Sequence, residues 1–193
     1  DGAVIIQSGN NWIFDPGDEN GIDDDGDGYV DNFVGWDVAF NDNNPMPPSN
    51  SYDHGTNVAG CVSASTDNNN GVASVGWSVK IMGINNSDDG YYITHGANSI
   101  LTAAQMGADV INMSWGGFGG CGGYQTVVNN AYNNYGSILV ASSGNGGDNG
   151  NTNFDLHAPS SCNDVISVSA VGQNDNFGCW ATAGETVDLC APG

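Results

Sequence analysis

The sequence has almost no positive charge. Its 193 residues include a single lysine, Lys80, and no arginine, against 22 Asp and Glu, which gives a formal net charge of −21. Because phosphate groups are bound by basic side chains, this balance argues against a nucleic-acid partner and against an anionic membrane surface. So many carboxylates must be hydrated or neutralised by cations. The composition therefore favours an extracellular or salty setting, or bound Ca²⁺.

Long hydrophobic runs are also missing. No apolar stretch approaches the roughly 20 residues that a membrane-spanning helix needs. No basic segment followed by an apolar one opens the chain, so we expect any signal peptide to have been removed already. Hydrophobic residues make up 39% of the sequence and 30 residues are glycine, which is typical of a globular, loop-rich chain. We expect residues 1–193 to form a single domain with a sizeable core.

The cysteines do not form any C-x-x-C pair, which argues against a zinc cluster and against a thioredoxin-like redox motif. There are five of them, Cys61, Cys121, Cys162, Cys179 and Cys190. Disulfides formed in an oxidising compartment are the better interpretation. Because the count is odd, one thiol is left over or pairs with a segment outside this sequence.

The distribution of apolar residues divides the chain into two parts. Residues 3–7 fit a short strand, and residues 20–53 form a long loop rich in Asp, Asn, Gly and Pro. From residue 54 onward helices and strands alternate. The predicted helices span 54–65, 93–106 and 124–135, and the predicted strands span 79–84, 109–113, 138–141 and 165–171. This alternation predicts an α/β core over 54–193 with a mostly parallel sheet and helices on both faces. Ligands in such sheets bind beyond the carboxyl ends of the strands.

The long loop contains a pattern that is typical of calcium sites. Residues 23–31 read D-x-D-x-D-G-x-x-D, in which alternate carboxylates converge on one cation. The predicted ligands are the carboxylates of Asp23, Asp25, Asp27 and Asp31 and the backbone carbonyl of Tyr29. A solvated acidic turn is the alternative, although four carboxylates this close would repel one another without a cation. A second group, Asp37, Asp42 and Asn44, is better interpreted as an ordinary polar loop.

Four stretches, taken in order, resemble the subtilisin-like serine proteases. They are His-Gly-Thr-Asn-Val-Ala-Gly at 54–60, Val-Ile-Asn-Met-Ser-Trp-Gly-Gly at 110–117, Leu-Val-Ala-Ser-Ser-Gly-Asn-Gly at 139–146 and Val-Asp-Leu-Cys-Ala-Pro-Gly at 187–193. The acidic loop also resembles an insertion that some bacterial members carry before the histidine block. The resemblance implies a three-layer subtilisin-like fold with a calcium-binding insertion at 20–53.

The same resemblance implies a role for each motif. His54 would be the general base and acid, and Asn145 would donate a hydrogen bond to the oxyanion. The edges of the substrate cleft would be Ser114, Trp115 and Gly116 on one side and Ser142, Ser143 and Gly144 on the other. An extended polypeptide substrate would bind there by strand addition. Trp115 stands where leucine is commoner in the family, so we expect it to reshape the pocket for the residue before the scissile bond.

Two parts of the family's catalytic triad are not in this sequence. The family's aspartate lies in an apolar strand before the calcium insertion, and its serine follows the Ala-Pro-Gly turn that ends here at Gly193. We therefore expect a domain incomplete at both ends, completed by flanking segments and inactive as it stands. The leading hypothesis is a secreted, calcium-stabilised serine endopeptidase. The alternatives are an inactive calcium-binding structural or assembly module and a calcium-dependent adhesion or lectin-like module, which would need a β-sandwich.

The resemblance also suggests how the cysteines pair. Family members with cysteines at these two places often join them, so Cys121–Cys162 is the first expected pair. It would close a loop of about 40 residues, worth ~4 kcal/mol in the chain-entropy model. Cys179–Cys190 is the second candidate, which would leave Cys61 as a free buried thiol. A Cys61–Cys190 bridge is the rival arrangement.

Overall fold

The computed structural model describes residues 5–9, 11–14, 17, 19–47, 53–146, 156–178 and 180–193. The elements in chain order are β1 (Ile5–Ser8), β2 (Asn11–Phe14), β3 (Gly35–Asp37), α1 (His54–Ser63), β4 (Gly83–Asn85), α2 (Gly96–Gln105), β5 (Val110–Met113), β6 (Gly117–Phe118), α3 (Tyr124–Tyr135), β7 (Ile138–Ser142), β8 (His157–Ala158), β9 (Val165–Val171) and β10 (Leu189–Pro192). Among the helices of these residues, none is both long and apolar enough to cross a membrane.

The centre of the fold is a four-stranded sheet in the order β10-β9-β7-β5. All three pairings in this sheet are parallel, and Leu139 in β7 pairs with Ile111 on one side and Val165 on the other. Parallel neighbours need a crossover between them, and α3 supplies the connection from β5 to β7. The parallel sheet and its helices confirm the predicted α/β class, and this architecture excludes a β-sandwich.

The core lies between this sheet and the helices α2 and α3, which pack against each other. Its fully buried members come from both helices and from the strands, and include Ile100, Ala104, Met113, Val128, Ala131 and Leu139. The helical members recur three or four positions apart, so each helix turns one apolar stripe inward. Burying one such leucine or isoleucine side chain contributes about 2–3 kcal/mol. This packing fixes where β5 and β7 end.

Helix α1 differs from its prediction, because none of its residues is buried. The expected burial of Cys61 would require a buried face on this helix, but only Val58 and Val62 among its residues are large and aliphatic, and Val62 remains 39% exposed. The other side chains are too small or too polar to drive burial. At its carboxyl end, Cys61 and Val62 accept backbone hydrogen bonds from residues 75 and 76.

The strand predicted at 79–84 lies elsewhere. The observed strand β4 begins at Gly83 and pairs in parallel with β3, outside the four-stranded sheet. Val79 and Ile81 are exposed instead of buried in a strand. The pairing depends on glycine, because a Cβ on Gly35 would lie 1.7 Å from the carbonyl oxygen of Gly83 and the φ of Gly35 is +131°. The distribution of apolar residues, from which the strand was predicted, contains no signal for this close contact between two glycine backbones.

The cysteines pair only in part as expected. Cys121, just before α3, is joined to Cys162, just before β9, which confirms the first predicted pair. Cys190 is a free, exposed thiol, so neither predicted bridge to it forms. Cys61 is free, as expected, but exposed, because α1 has no buried face. Cys179 lies outside the described residues.

Candidate active site

The segments at the carboxyl ends of β5 and β7 lie side by side. These strands are parallel neighbours, and Met113 pairs with Ala141 at their carboxyl ends. Residues 114–116 and 142–144 therefore leave the same edge of the sheet next to each other. We call them the two cleft segments. The carboxyl edge of a parallel sheet is where α/β proteins bind ligands, so the structure brings the predicted cleft residues to a suitable place.

The three serines of the cleft segments have different surroundings. Ser114 is partly buried and its Oγ accepts a hydrogen bond of 2.8 Å from the side-chain amide of Asn112. Ser142 is also partly buried. Ser143 is buried, and its Oγ donates to the carbonyl oxygen of Thr182 at 3.5 Å. The hydroxyl of Ser143 therefore points into the protein.

Trp115 packs onto the helices. Its ring lies 5.9 Å from the ring of Tyr124 in α3, tilted by 51°. It also covers Gly96 at the start of α2, where an added Cβ would lie 2.8 Å from Trp115 Cη2. The sequence suggested that this residue reshapes the pocket before the scissile bond. The structure shows its indole used in packing between α2 and α3.

His157 occupies the space between the cleft segments, and no pattern in the sequence singles it out. A Cβ on Gly116 would lie 2.4 Å from His157 Cε1, and a Cβ on Gly144 would lie 2.8 Å from His157 Cδ2. The imidazole therefore lies against the bare backbone of both segments. The antiparallel pairing of β8 with β6 holds it there, with Phe118 opposite His157 and the two rings 6.1 Å apart.

The surroundings of His157 favour the neutral form of its ring. Partial burial lowers the pKa of His157, because desolvation disfavours the charged form. Its Nδ1 atom is buried and has no hydrogen-bond partner in the described part of the chain. Leaving such a buried polar atom unpaired costs about 1–3 kcal/mol. Paired glycines in the cleft segments signal a close neighbour, but they do not say which residue it is.

Thr182 fixes the turn that carries Asn145. Its hydroxyl donates to the carbonyl oxygen of Gly144 (2.8 Å) and accepts from the amide of Gly146 (3.1 Å). Its own amide also donates to the carbonyl oxygen of Gly144 (3.2 Å). Thr182 is buried, whereas Asn145 is exposed. The peptide groups on both sides of Asn145 are therefore held, while the residue itself remains exposed. No local pattern in the sequence points to Thr182.

His54 begins α1. Its side chain is exposed, and within residues 53–146, 156–178 and 180–193 it makes no hydrogen bond to another side chain. The preceding residue, Asp53, accepts the amide hydrogen bond of Asn57 through its backbone carbonyl. An exposed imidazole at the start of a helix can reach a reacting group.

Three of the predicted metal ligands lie together. The carboxylates of Asp23, Asp25 and Asp27 each offer an oxygen atom within 4.8 Å of the others. Backbone amides shape the loop around them, and Asp23 alone accepts from those of Gly26, Asp27 and Gly28. Carboxylate oxygens are the ligands that Ca²⁺ prefers, at about 2.3–2.6 Å from the ion. Three oxygens this close can share one such ion, so the residues fit the metal.

The other two predicted ligands have different surroundings. Asp31 is outside this group of three, and its oxygens accept from the amides of Asn20 (3.1 Å) and Gly21 (3.0 Å), which closes the base of the loop. The Tyr29 side chain anchors the loop to α2, where its hydroxyl donates to Gln105 Oε1 at 2.9 Å. The prediction for Tyr29 concerned its backbone carbonyl, which remains a prediction.

The second acidic group is structural, as interpreted. Asp37 is buried, and its carboxylate accepts from the amides of Ala39 and Phe40 and from the side chain of Asn85. Asp42 caps the next turn through the amide of Asn44. These carboxylates stabilise the loop with hydrogen bonds from the protein itself.

A parallel sheet with helices packed on it defines an α/β fold, in which the carboxyl ends of β5 and β7 are adjacent. The comparisons with known proteins give its family. The family model described as the subtilase family matches residues 16–193. Thermitase from Thermoactinomyces vulgaris is 40% identical over 162 residues, which cover 82% of this chain and 54% of thermitase. A thermophilic serine proteinase from Bacillus sp. (strain AK1) is 37% identical over 164 residues, covering 82% of this chain and 38% of that protein.

A solved structure agrees with these relatives. The psychrophilic subtilisin-like protease Apa1 from Pseudoalteromonas sp. AS-11 superposes with a TM-score of 0.63 at 31% identity, over 72% of this chain and 32% of that one. The chain belongs to the subtilase family. It spans about half, or less, of the length of the relatives it matches.

Proposed function

We propose that this chain is the central part of the catalytic domain of a subtilisin-like serine endopeptidase. The observation that carries the proposal is the pair of adjacent cleft segments, with the exposed Asn145 on a turn that Thr182 holds in place. Flanking segments of the same protein would supply the aspartate and the serine. The names of the relatives, which are those of proteases, support this class.

In the proposed reaction His54 acts on a serine from a flanking segment. The serine hydroxyl attacks the carbonyl carbon of the scissile peptide, and the His54 imidazole takes its proton. The carbonyl oxygen becomes an oxyanion, which the side-chain amide of Asn145 stabilises by a hydrogen bond. His54 then gives the proton to the leaving amine, and water repeats the sequence to release the acid. An aspartate would orient His54 and stabilise its charged form.

The substrate is proposed to be an extended polypeptide. Residues 114–116 follow a sheet strand and the backbone around Gly116 is exposed. An extended peptide can therefore add its backbone to this segment as a further strand. The side chain before the scissile bond would then enter between the two cleft segments.

The proposed metal is Ca²⁺, with a structural role. Asp23, Asp25 and Asp27 would hold it, because their carboxylates already converge. Bound Ca²⁺ would supply positive charge that offsets the repulsion among these carboxylates. The loop packs against α2 through Tyr29, so its ordering would add to the stability of the core.

The proposed location is outside the cell. A disulfide such as Cys121–Cys162 persists in oxidising compartments and is rare in the reducing cytosol. The inactive calcium-binding module, which the sequence left as an alternative, gains no support from relatives with the names of proteases.

Replacing Asn145 tests the proposal. In the full-length protein, Asn145→Ala should lower kcat by roughly 10²–10³-fold with little change in KM, because the oxyanion donor acts in the transition state. Asn174→Ala is the matched control, since Asn174 is also an exposed asparagine in a turn. Peptide hydrolysis under steady-state conditions measures both. An unchanged kcat in Asn145→Ala would rule out the assigned role.

A further inference from the structure

Four asparagines in the chain are followed directly by glycine, and the structure describes three of these pairs. They are Asn20-Gly21, Asn70-Gly71 and Asn145-Gly146, while the pair at 149–150 lies outside the described residues. All three asparagines are exposed. An asparagine before glycine can react with its own backbone, because glycine has no side chain to hinder the approach of its amide nitrogen to the asparagine carboxamide. The three pairs differ in what holds that nitrogen.

Two of the three glycine amides are held by hydrogen bonds. The amide of Gly21 donates to Asp31 Oδ2 at 3.0 Å, and the amide of Gly146 donates to Thr182 Oγ1 at 3.1 Å. The carboxamide of Asn20 is held as well, by hydrogen bonds at its oxygen and at its nitrogen. A glycine amide must break such a bond before its nitrogen can attack the preceding side chain, so both pairs are protected.

The third pair has no such protection. The amide of Gly71 has no hydrogen-bond partner among the residues that the structure describes. Within the same residues the side chain of Asn70 makes no hydrogen bond, and its backbone amide donates to Asn68 Oδ1 at 3.0 Å. Gly71 is exposed, and a Cβ added to it would meet nothing within 4 Å. Water and a solvent base therefore have access to both reacting groups.

We propose that Asn70 is a site of spontaneous deamidation, and that the hydrogen bond from Gly146 to Thr182 protects Asn145 from the same reaction. At the open site the nitrogen of Gly71 gives its proton to a solvent base and attacks Cγ of Asn70, which forms a cyclic succinimide. The bond from Cγ to the side-chain nitrogen breaks, and this nitrogen takes a proton from water and leaves as ammonia. A water molecule then opens the ring at either carbonyl, which gives aspartate or isoaspartate.

Protection of Asn145 preserves the group that acts on the oxyanion in the proposed function. A carboxamide donates hydrogen bonds, whereas a carboxylate only accepts them. A deamidated Asn145 would therefore have no hydrogen to donate and would repel the negative charge of the oxyanion. This consequence rests on the proposed function, but the difference in reactivity between Asn70 and Asn145 does not.

The test ages the full-length, calcium-loaded protein at mildly alkaline pH, with a serine-protease inhibitor present to prevent self-digestion. Peptide mapping by mass spectrometry locates each replacement of nitrogen by oxygen, and isoaspartyl methyltransferase labels the isoaspartate. In the wild type we expect Asn70 to react faster than Asn20 and Asn145 by at least roughly three- to tenfold, the factor that one hydrogen bond contributes. Asn70→Gln should remove this modification, because the longer side chain must close a larger ring. Asn174→Gln is the matched control, since Asn174 is exposed but precedes an aspartate.

Thr182→Val removes the hydroxyl that holds the amide of Gly146. It should speed the reaction at Asn145 by roughly three- to tenfold, whereas Thr182→Ser should keep it slow. If Thr182→Val does not fold, hydrogen exchange in the wild type replaces it, and the amide of Gly71 should exchange faster than that of Gly146.

Three results would overturn this inference and leave the proposed function standing. They are an unmodified Asn70, a wild type in which Asn145 reacts as fast as Asn70, and a folded Thr182→Val variant in which Asn145 reacts no faster. Equal exchange of the Gly71 and Gly146 amides would count in the same way. Failure of the proposed function is seen separately, as a folded protein that a fluorophosphonate does not label.

Discussion

Thr182 shows how one buried hydroxyl can position a residue whose side chain it does not contact, here Asn145. It holds the peptide groups on both sides of Asn145 through Gly144 and Gly146. Its carbonyl oxygen in turn accepts hydrogen bonds from Ser143 and Ser169. The position of Asn145, the proposed oxyanion donor, therefore depends on a residue that follows it by almost forty positions in the chain.

Removing that hydroxyl should affect turnover more than binding. Thr182→Val keeps the shape of the side chain but leaves Gly146 N without its partner, so the turn can move. We expect kcat to fall by about 10- to 100-fold with KM within about twofold, because small displacements of catalytic groups have effects of this size. Thr182→Ser retains the hydroxyl and should recover most of the loss. Equal losses in both variants, or a change confined to KM, would contradict this role.

At the scale of elements, the acidic loop and the strand pair β3–β4 depend on contacts that the apolar pattern does not contain. The loop is shaped by amides donating to Asp23, and it is attached to α2 by Tyr29. The strand pair depends on the close approach of Gly35 to Gly83. Each feature can be tested separately by a single substitution and a matched control.

Calcium should stabilise the protein through the loop. Chelation should lower Tm by roughly 5–10 °C, since a ligand at 100 times its Kd contributes about 2.7 kcal/mol and 1 kcal/mol shifts Tm by about 2–4 °C in a domain of this size. Asp25→Asn should abolish the calcium-dependent part of Tm. Asp24→Asn should retain it, because Asp24 bonds to Asn20 outside the cluster. Thermal unfolding with Ca²⁺ and with chelator gives the calcium-dependent difference in Tm for each variant. The same difference in Asp25→Asn and Asp24→Asn would refute the site.

The contact between β3 and β4 should not tolerate a side chain. Gly35→Ala places a Cβ 1.7 Å from a backbone oxygen, at a φ of +131°, so the strands must separate. We expect a loss of more than about 3 kcal/mol in the free energy of unfolding. Gly123→Ala is the control, because a Cβ there meets nothing within 4 Å. Denaturant titration measures the free energy of unfolding of both variants. A loss below about 1 kcal/mol for Gly35→Ala, close to what a surface substitution costs, would contradict the close approach.

The sequence predicted local features better than distant contacts. Helix α3 and strand β9 have their predicted bounds, because periodic apolar residues report directly which face is buried. The cleft segments were also predicted, although by resemblance. The exposure of α1, the β3–β4 pair and the places of Thr182 and His157 were not. Each of these features depends on contacts between segments that are distant in the sequence. The sequence around a histidine or threonine in a loop does not indicate which residue it will contact.

At the scale of the whole molecule, the charge sets the conditions in which the fold is stable. With a formal net charge of −21, repulsion among carboxylates opposes the compact state. Raising NaCl from 0.1 to 1 M shortens the screening length from about 10 to about 3 Å. We therefore expect Tm to rise with NaCl at saturating Ca²⁺. Sucrose at equal osmolality is the control for stabilisation by a solute that is excluded from the protein surface. A Tm that falls with NaCl would contradict the role given to charge repulsion.

We propose that this fold belongs to an active serine endopeptidase in which His54 is the general base. Labelling of the full-length, folded, calcium-loaded protein by a fluorophosphonate probe tests this role. We expect covalent labelling of one serine outside residues 1–193, lost in His54→Ala and kept in the surface control His95→Ala. A folded protein that is not labelled, or labelling that persists in His54→Ala, would contradict it.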